Sequence, residues 1–188
     1  MEGFTAIDFE TGNPQRVSAC AIGYAIVEHN EIVKTGINLI KPVGGHAAFQ
    51  TRIHGITEEH TKSMPMFNEL YPCTQDIFSN PIVGHSQFDK QVLNALSEYF
   101  GLGMRFEYFD SISIAKSRFP DLKNHKLDTV AKHLGLPEFT HHDALEDAKT
   151  CARIVLKIGD KVEKPKIKIS YSMKMEYCGL LRGVVADE

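Results

Sequence analysis

The chain has 188 residues, of which 43% are apolar and 24% charged, and its formal net charge is -3. That length and balance suit one globular domain with a hydrophobic core and a short appendage. The small acidic excess excludes a protein held to nucleic acid mainly by a broad basic surface, but it leaves open one that grips a strand end through bound cations.

Residues 4–10 read as a first strand, closed by the turn cluster Thr11-Gly12-Asn13-Pro14. Residues 17–27 and 32–40 read as two more strands, joined through His29-Asn30-Glu31, and short connections of this kind predict an antiparallel meander. Helices are expected over 57–62, with Thr57 as cap, and over 67–78. A short apolar strand follows at 81–84, then a helix over 89–99 with Val92, Leu93 and Leu96 on one side. A fifth strand is expected at 106–109, and short helices at 111–118 and 127–134. The last helix opens at Asp143, with Glu146 three residues on as in a capping box, and Ala144, Ala148, Cys151, Ala152, Val155 and Ile158 form its apolar face. Strands followed by alternating strand and helix predict an α/β domain built on a mixed sheet.

The stretch 167–177 alternates polar and apolar residues throughout, the period of a half-buried strand. The expected division is therefore a domain over 1–163 and an extension over 164–188. A lone amphipathic strand needs a neighbour, which makes a homodimer through this segment one expectation, beside pairing with the chain's own sheet or the start of a further domain. Lys164, Lys166 and Lys168 read as a solvated strand face. Cys20, Cys73, Cys151 and Cys178 lie far apart, without the close pairs of zinc or redox motifs. Reduced thiols and a cytoplasmic location are expected, with no secretory leader and no run long enough to cross a bilayer.

Asp8 and Glu10 stand two apart on the first strand, so both carboxylates leave the same face. Asp-x-Glu alone is common, but here it ends an otherwise apolar strand, where paired acids repel and resist losing water unless a divalent cation relieves both costs. Asp89 follows a second short apolar strand, and His142 and Asp147 stand five positions apart at a helix start. In this order and spacing the chain resembles the DEDDh exonucleases, the family that includes the proofreading subunit of bacterial DNA polymerase III, RNase T and oligoribonuclease. Asp8 to Gly12 matches the first motif, Asp-x-Glu-Thr-Gly; Phe88-Asp89 ends the second; His142 and Asp147 form the third. Arg52-Ile53-His54-Gly55-Ile56-Thr57 resembles a stretch that many relatives carry between the first two motifs. His85-Ser86-Gln87-Phe88-Asp89 departs from the common His-Asn-x-x-Phe-Asp, being one residue shorter and lacking the asparagine.

The resemblance implies a ribonuclease H-like fold with a five-stranded sheet. It also implies two Mg²⁺ or Mn²⁺ ions held by Asp8, Glu10, Asp89 and Asp147, with His142 as general base. Thr11, Gly12, His54 and Phe88 become the expected nucleotide contacts, although Phe88 reads equally as core and His54 as a turn residue beside Gly55. Asp143 and Glu146 are assigned to the helix cap, and His141 to solvent. The expected activity is removal of nucleotides from the 3′ end of a nucleic acid, with single-stranded DNA favoured. RNA is the second reading, since nothing in the sequence reports how a 2′-OH is treated. A binding module without catalysis is a third, disfavoured because all four acids and the histidine are present.

Overall fold

The computed structural model describes residues 3–159. The expected strand at 167–177, the boundary at 163 and the homodimer built on them lie outside the described residues.

Three long strands, β1 (Phe4–Thr11), β2 (Ala19–Glu28) and β3 (Glu31–Leu39), form the expected meander. Two short ones, β4 (Ile82–Gly84) and β5 (Tyr108–Asp110), complete a five-stranded sheet of order β3-β2-β1-β4-β5. The β1/β2 and β2/β3 pairs are antiparallel, while β4 runs parallel to β1 and β5 parallel to β4. β1 is therefore central, and its C-terminal end lies beside those of β4 and β5, the edge along which α/β sheets place their sites.

The helices are α1 (Ala48–His54), α2 (Glu58–Thr61), α3 (Phe67–Leu70), α4 (Phe88–Tyr99), α5 (Ser111–Arg118), α6 (Leu127–His133) and α7 (Ala144–Ile158). Side-chain alternation along β1 decides how they are layered. Phe4 and Ala6 face one way and pack with Val83, Ala115, Val130, Cys151, Ala152 and Val155, so α5, α6 and α7 cover that face. Ile7 and Phe9 face the other way and pack with Phe67, Ile77, Val92, Leu93 and Leu96, so α3 and α4 cover the opposite one. Asp8 and Glu10 continue the Phe4–Ala6 row, which directs them towards α7.

The structure corrects three local expectations. α1 was not foreseen: none of its residues is buried and its entry carries no side-chain cap, leaving only the left-handed Gly55 at its end as a signal. The single helix expected over 67–78 ends at Leu70 and continues as a 3₁₀ turn, Tyr71–Cys73, because Pro72 cannot donate to an α-helical ladder. Asp143 does cap α7, its Oδ1 accepting from Leu145 N at 3.0 Å and Glu146 N at 3.1 Å. The capping box does not close, however, because Glu146 Oε1 takes Lys149 Nζ at 2.6 Å instead. Among the described residues, no helix is long and apolar enough to cross a membrane.

Candidate active site

The sheet and two helices bring the four acids together. Asp8 and Glu10 stand at the end of β1 on the face covered by α7. Asp89, in the first turn of α4, is buried, and its Oδ1 accepts the backbone N–H of Phe9 at 2.9 Å, so the second motif is fastened to the first. Asp147, in the first turn of α7, is also buried; its Oδ2 accepts the backbone N–H of His142 at 3.1 Å. His142 has φ of +63°, a left-handed bend that precedes the Asp143 cap.

Helix α7 reaches the sheet through Gly23, the β2 residue opposite Asp8. A Cβ at Gly23 would lie 1.9 Å from the carbonyl oxygen of Ala144 and 2.5 Å from Leu145 N. Only glycine admits the start of the helix, and with it Asp147, this close to β1.

Electrostatics report the gathering of charge. Burial first, then the neighbouring Asp89, Asp147 and Glu10, holds the Asp8 carboxyl well above the usual carboxylate range. Burial with Asp147 and Asp89 pushes Glu10 up to about 8. Asp89 is pushed up to about 7 by burial, against the opposing pull of the Phe9 N–H. Asp147 is raised by burial while the His142 N–H and the His141 and His142 rings work against it. Its Oδ1 is buried without a hydrogen bond, the nearest basic nitrogen being His141 Nδ1 at 3.7 Å. His141, which the sequence reading left in solvent, thus stands beside a site carboxylate. The His142 ring is exposed, 5.5 Å from that of His141 between centroids.

Among the described residues, no three His, Cys, Asp or Glu side chains close into a ready metal cage. The donor set nevertheless fits a hard divalent cation: it is all carboxylate oxygen, crowded enough to resist ionisation, and includes the unpartnered Asp147 Oδ1. Such an ion would remove the repulsion that raises these groups.

Beside the acids runs a groove of about 290 Å³ lined by Glu10, Thr11, Pro14, Arg16, Gln50, Ile53, His54 and Phe88. Three of the four expected nucleotide contacts border it, and α1 accounts for their meeting. Ala47 N donates to Gly12 O at 2.7 Å and His54 Nε2 to Thr11 O at 3.2 Å, which ties both ends of the helix to the end of β1. Ile56 N donates to His54 Nδ1 at 3.0 Å, so the proton resides on Nε2, and burial lowers the imidazole's affinity for a second. His54 is thereby a neutral brace as well as a wall of the groove. Gly12 does not border the groove; it permits close approach, since a Cβ there would lie 2.9 Å from Gly45 O. Phe88 borders it, with one ring face taken by the Arg16 guanidinium, 4.4 Å from the centroid.

The shortened second motif is held by contacts of its own. His85 Nε2 donates to His125 O at 2.9 Å, so Nδ1 accepts from Ser111 Oγ at 2.7 Å, and burial keeps the ring neutral. The Tyr108 hydroxyl donates to the Ser86 carbonyl, and Ser86 Oγ accepts from Phe88 N at 3.0 Å. Arg16, Gln50 and Tyr108 each lie outside the motifs; only the cation at Arg16, one turn past the acid-bearing strand, offers a hint in the sequence.

Comparison with known proteins agrees with this arrangement. A family model described as Exonuclease matches residues 5–155. The DNA polymerase III PolC-type of Thermotoga maritima is 31% identical over 195 residues, covering 95% of this chain and 14% of its own. The chain spans 12–14% of the length of the first curated relatives it matches. Among solved structures, Exonuclease X in complex with 5′ overhanging duplex DNA superposes with TM-score 0.69 at 24% identity, over 82% of this chain and 90% of that one. The nuclease domain of 3′hExo, a DEDDh family member bound to rAMP, superposes with TM-score 0.68 at 19% identity, over 84% of this chain and 91% of that one. These two likenesses concern the fold. With the sheet order, the motif spacing and the family match in agreement, the chain belongs to the DEDDh 3′–5′ exonucleases, metal-dependent hydrolases of phosphodiester bonds.

Proposed function

We propose that the protein removes nucleotides from the 3′ end of single-stranded DNA, with Asp8, Glu10, Asp89 and Asp147 holding two Mg²⁺ or Mn²⁺ ions and His142 as general base. The observation that carries this reading is the convergence of four carboxylates from β1, α4 and α7, each with its proton affinity raised. Two divalent ions held by these acids would supply charge stabilisation for the attacking and departing oxygens. The chain's own residues do the rest. Glu10 borders the groove, so a nucleotide lying there has its 5′-phosphate at the acids and its sugar and base towards Ile53, His54 and Phe88. Thr11 meets the sugar, and the His54 brace fixes the Thr11 carbonyl. The exposed His142 ring, on a loop tied to Asp147 through its own N–H, takes the proton from water.

DNA is favoured by the polymerase relatives and by the duplex DNA that Exonuclease X, one structural neighbour, holds in its complex. RNA is the second reading, supported by the rAMP-bound neighbour. Incubating 5′-labelled DNA and RNA of equal sequence with Mg²⁺ tests both: a ladder of shortening DNA is expected. RNA shortened faster than DNA would reverse the preference, and neither shortened would remove the activity. His142→Ala is expected to lower kcat at least about 100-fold with Mg²⁺ affinity retained. An unchanged pH–rate profile would exclude His142 as base.

A further inference from the structure

Among the described residues, Arg16 is the only Lys or Arg that borders the groove, and it makes two contacts there. Its guanidinium carbon lies 4.4 Å from the Phe88 ring centroid, and its Nε donates to Gln91 Oε1 at 3.0 Å. These two anchors use one flat face and one N–H. Among the described residues, neither Nη finds a hydrogen-bond acceptor and no carboxylate pairs with the charge. Arg16, although solvent-exposed, is thus held by two contacts that leave both Nη groups able to donate side by side. Gln50, from α1, borders the same groove, and its Oε1 is buried with no partner. That unpaired acceptor carries a standing cost, and a rotation of the side-chain amide that turns it to the groove would let a ligand's N–H remove it.

We propose that Arg16 and Gln50 read the base of the 3′-terminal nucleotide and favour guanine. This rests on the reading of the groove as the terminal-nucleotide site and deepens it. Guanine offers O6 and N7 as adjacent acceptors for a guanidinium fork, and the N1–H and N2–H donors next to O6 match the free Gln50 oxygen. Adenine puts an amino group where O6 would be, which sets donor against donor. Thymine's two acceptors, O2 and O4, are separated by N3–H, so the fork meets one of them at a time and leaves a prong unpaired. Cytosine presents O2, N3 and its amino group in the same acceptor–acceptor–donor order as guanine, on a smaller ring and with one ring donor fewer, and falls between. The remaining walls, Ile53, Phe88 and the neutral His54, are indifferent to base identity, so discrimination falls to this pair.

The test uses four DNA oligonucleotides identical except for the 3′-terminal base, cleaved in single turnover by the full chain with Mg²⁺. The parent is expected to show kcat/KM for terminal guanine at least about five-fold above thymine and adenine, the ratio a bidentate pair gives at the low end. Arg16→Lys keeps the charge but not the fork, so the ratio of guanine to thymine turnover should fall towards one. Gln50→Leu should narrow the advantage without abolishing it. Four bases cleaved within two-fold by the parent, or a guanine advantage that survives Arg16→Lys, would overturn the proposal. An equal loss on all four bases would also overturn it, since that marks a cation that only grips phosphate. If the parent cleaves none of the four, the exonuclease reading fails by itself. Binding of the four deoxynucleoside 5′-monophosphates by calorimetry then decides the base reading, with the guanine nucleotide expected to bind tightest in the parent alone and equal binding of all four overturning it.

Discussion

Gly23→Ala isolates the link between the sheet and the helix that carries Asp147. The added methyl would sit 1.9 Å from the Ala144 carbonyl oxygen, against an ordinary contact of 3.4 Å or more, so the start of α7 must retreat by about 1.5 Å. Backbone rather than a flexible side chain is in the way, and overpacking of this kind costs about 1–3 kcal/mol. For a chain of this size that lowers Tm by roughly 2–12 °C. The effect on function should be larger than the effect on stability. Asp147 lies three residues beyond Ala144 and opposes Asp8 across the gap being widened, and a misplacement of about 1 Å can cost about 100-fold in rate. Expected, then, are a folded protein by circular dichroism, a modest fall in Tm, kcat/KM down about 100-fold and weakened Mg²⁺ binding. Gly36→Ala is the control: it meets only the Tyr24 ring and hydroxyl, which can shift, so it should cost stability with activity spared. Parent-like turnover and Mg²⁺ affinity in Gly23→Ala, or equal activity losses in both variants, would refute the reasoning.

Asp8→Asn should abolish cleavage, by more than the roughly 100-fold that loss of even an outer-shell partner brings to metal sites. It should also raise the Tm of the metal-free protein at pH 8, since it removes a buried charge crowded by like charges; a lower Tm there would contradict that crowding. Metal-free protein should lose stability as pH rises from about 5 to 9. Glu10 and Asp89 have folded values raised to about 8 and about 7, so their protonated forms favour the fold at low pH and that advantage is lost as pH climbs through those values. Mg²⁺ should therefore raise Tm more at pH 8.5 than at pH 5.5, and a pH-independent increment in thermal melts would count against it. Tyr108→Phe should lose about 0.5–1.5 kcal/mol of stability with the Ser86 contact, measured by urea denaturation. An unchanged midpoint would show that the second motif holds its shape without it.

What could be read from the residues was whatever depends on periodicity and on residue type at fixed spacing. The β1–β3 meander, the apolar stripe of α7 and the pairing of Asp8 with Glu10 on one face follow from alternation alone. Helix α1 stayed hidden because it has no buried face: Phe49 is 67% exposed and Ile53, which lines the groove, 41%. Strand β5 was expected at 106–109 and runs Tyr108–Asp110, since three residues pairing in parallel with β4 carry too short a pattern to fix an end. Arg16 meets Phe88 and Gln91 across the fold, Gln50 meets the end of β1 only where the groove assembles, and His141 depends on the bend at His142; no local pattern encodes these. Pro72 was legible and overlooked in favour of the apolar spacing around it.

The acid supplied by α7 is the last to emerge when the chain is made. Until residue 147 has been synthesised and its helix has settled against Gly23, the three earlier carboxylates face an open flank. On the proposed assignment, the fourth ligand and the cover that α7 lays over one face of the sheet arrive in a single folding event, so divalent-ion binding should be absent from chains that stop short of residue 147.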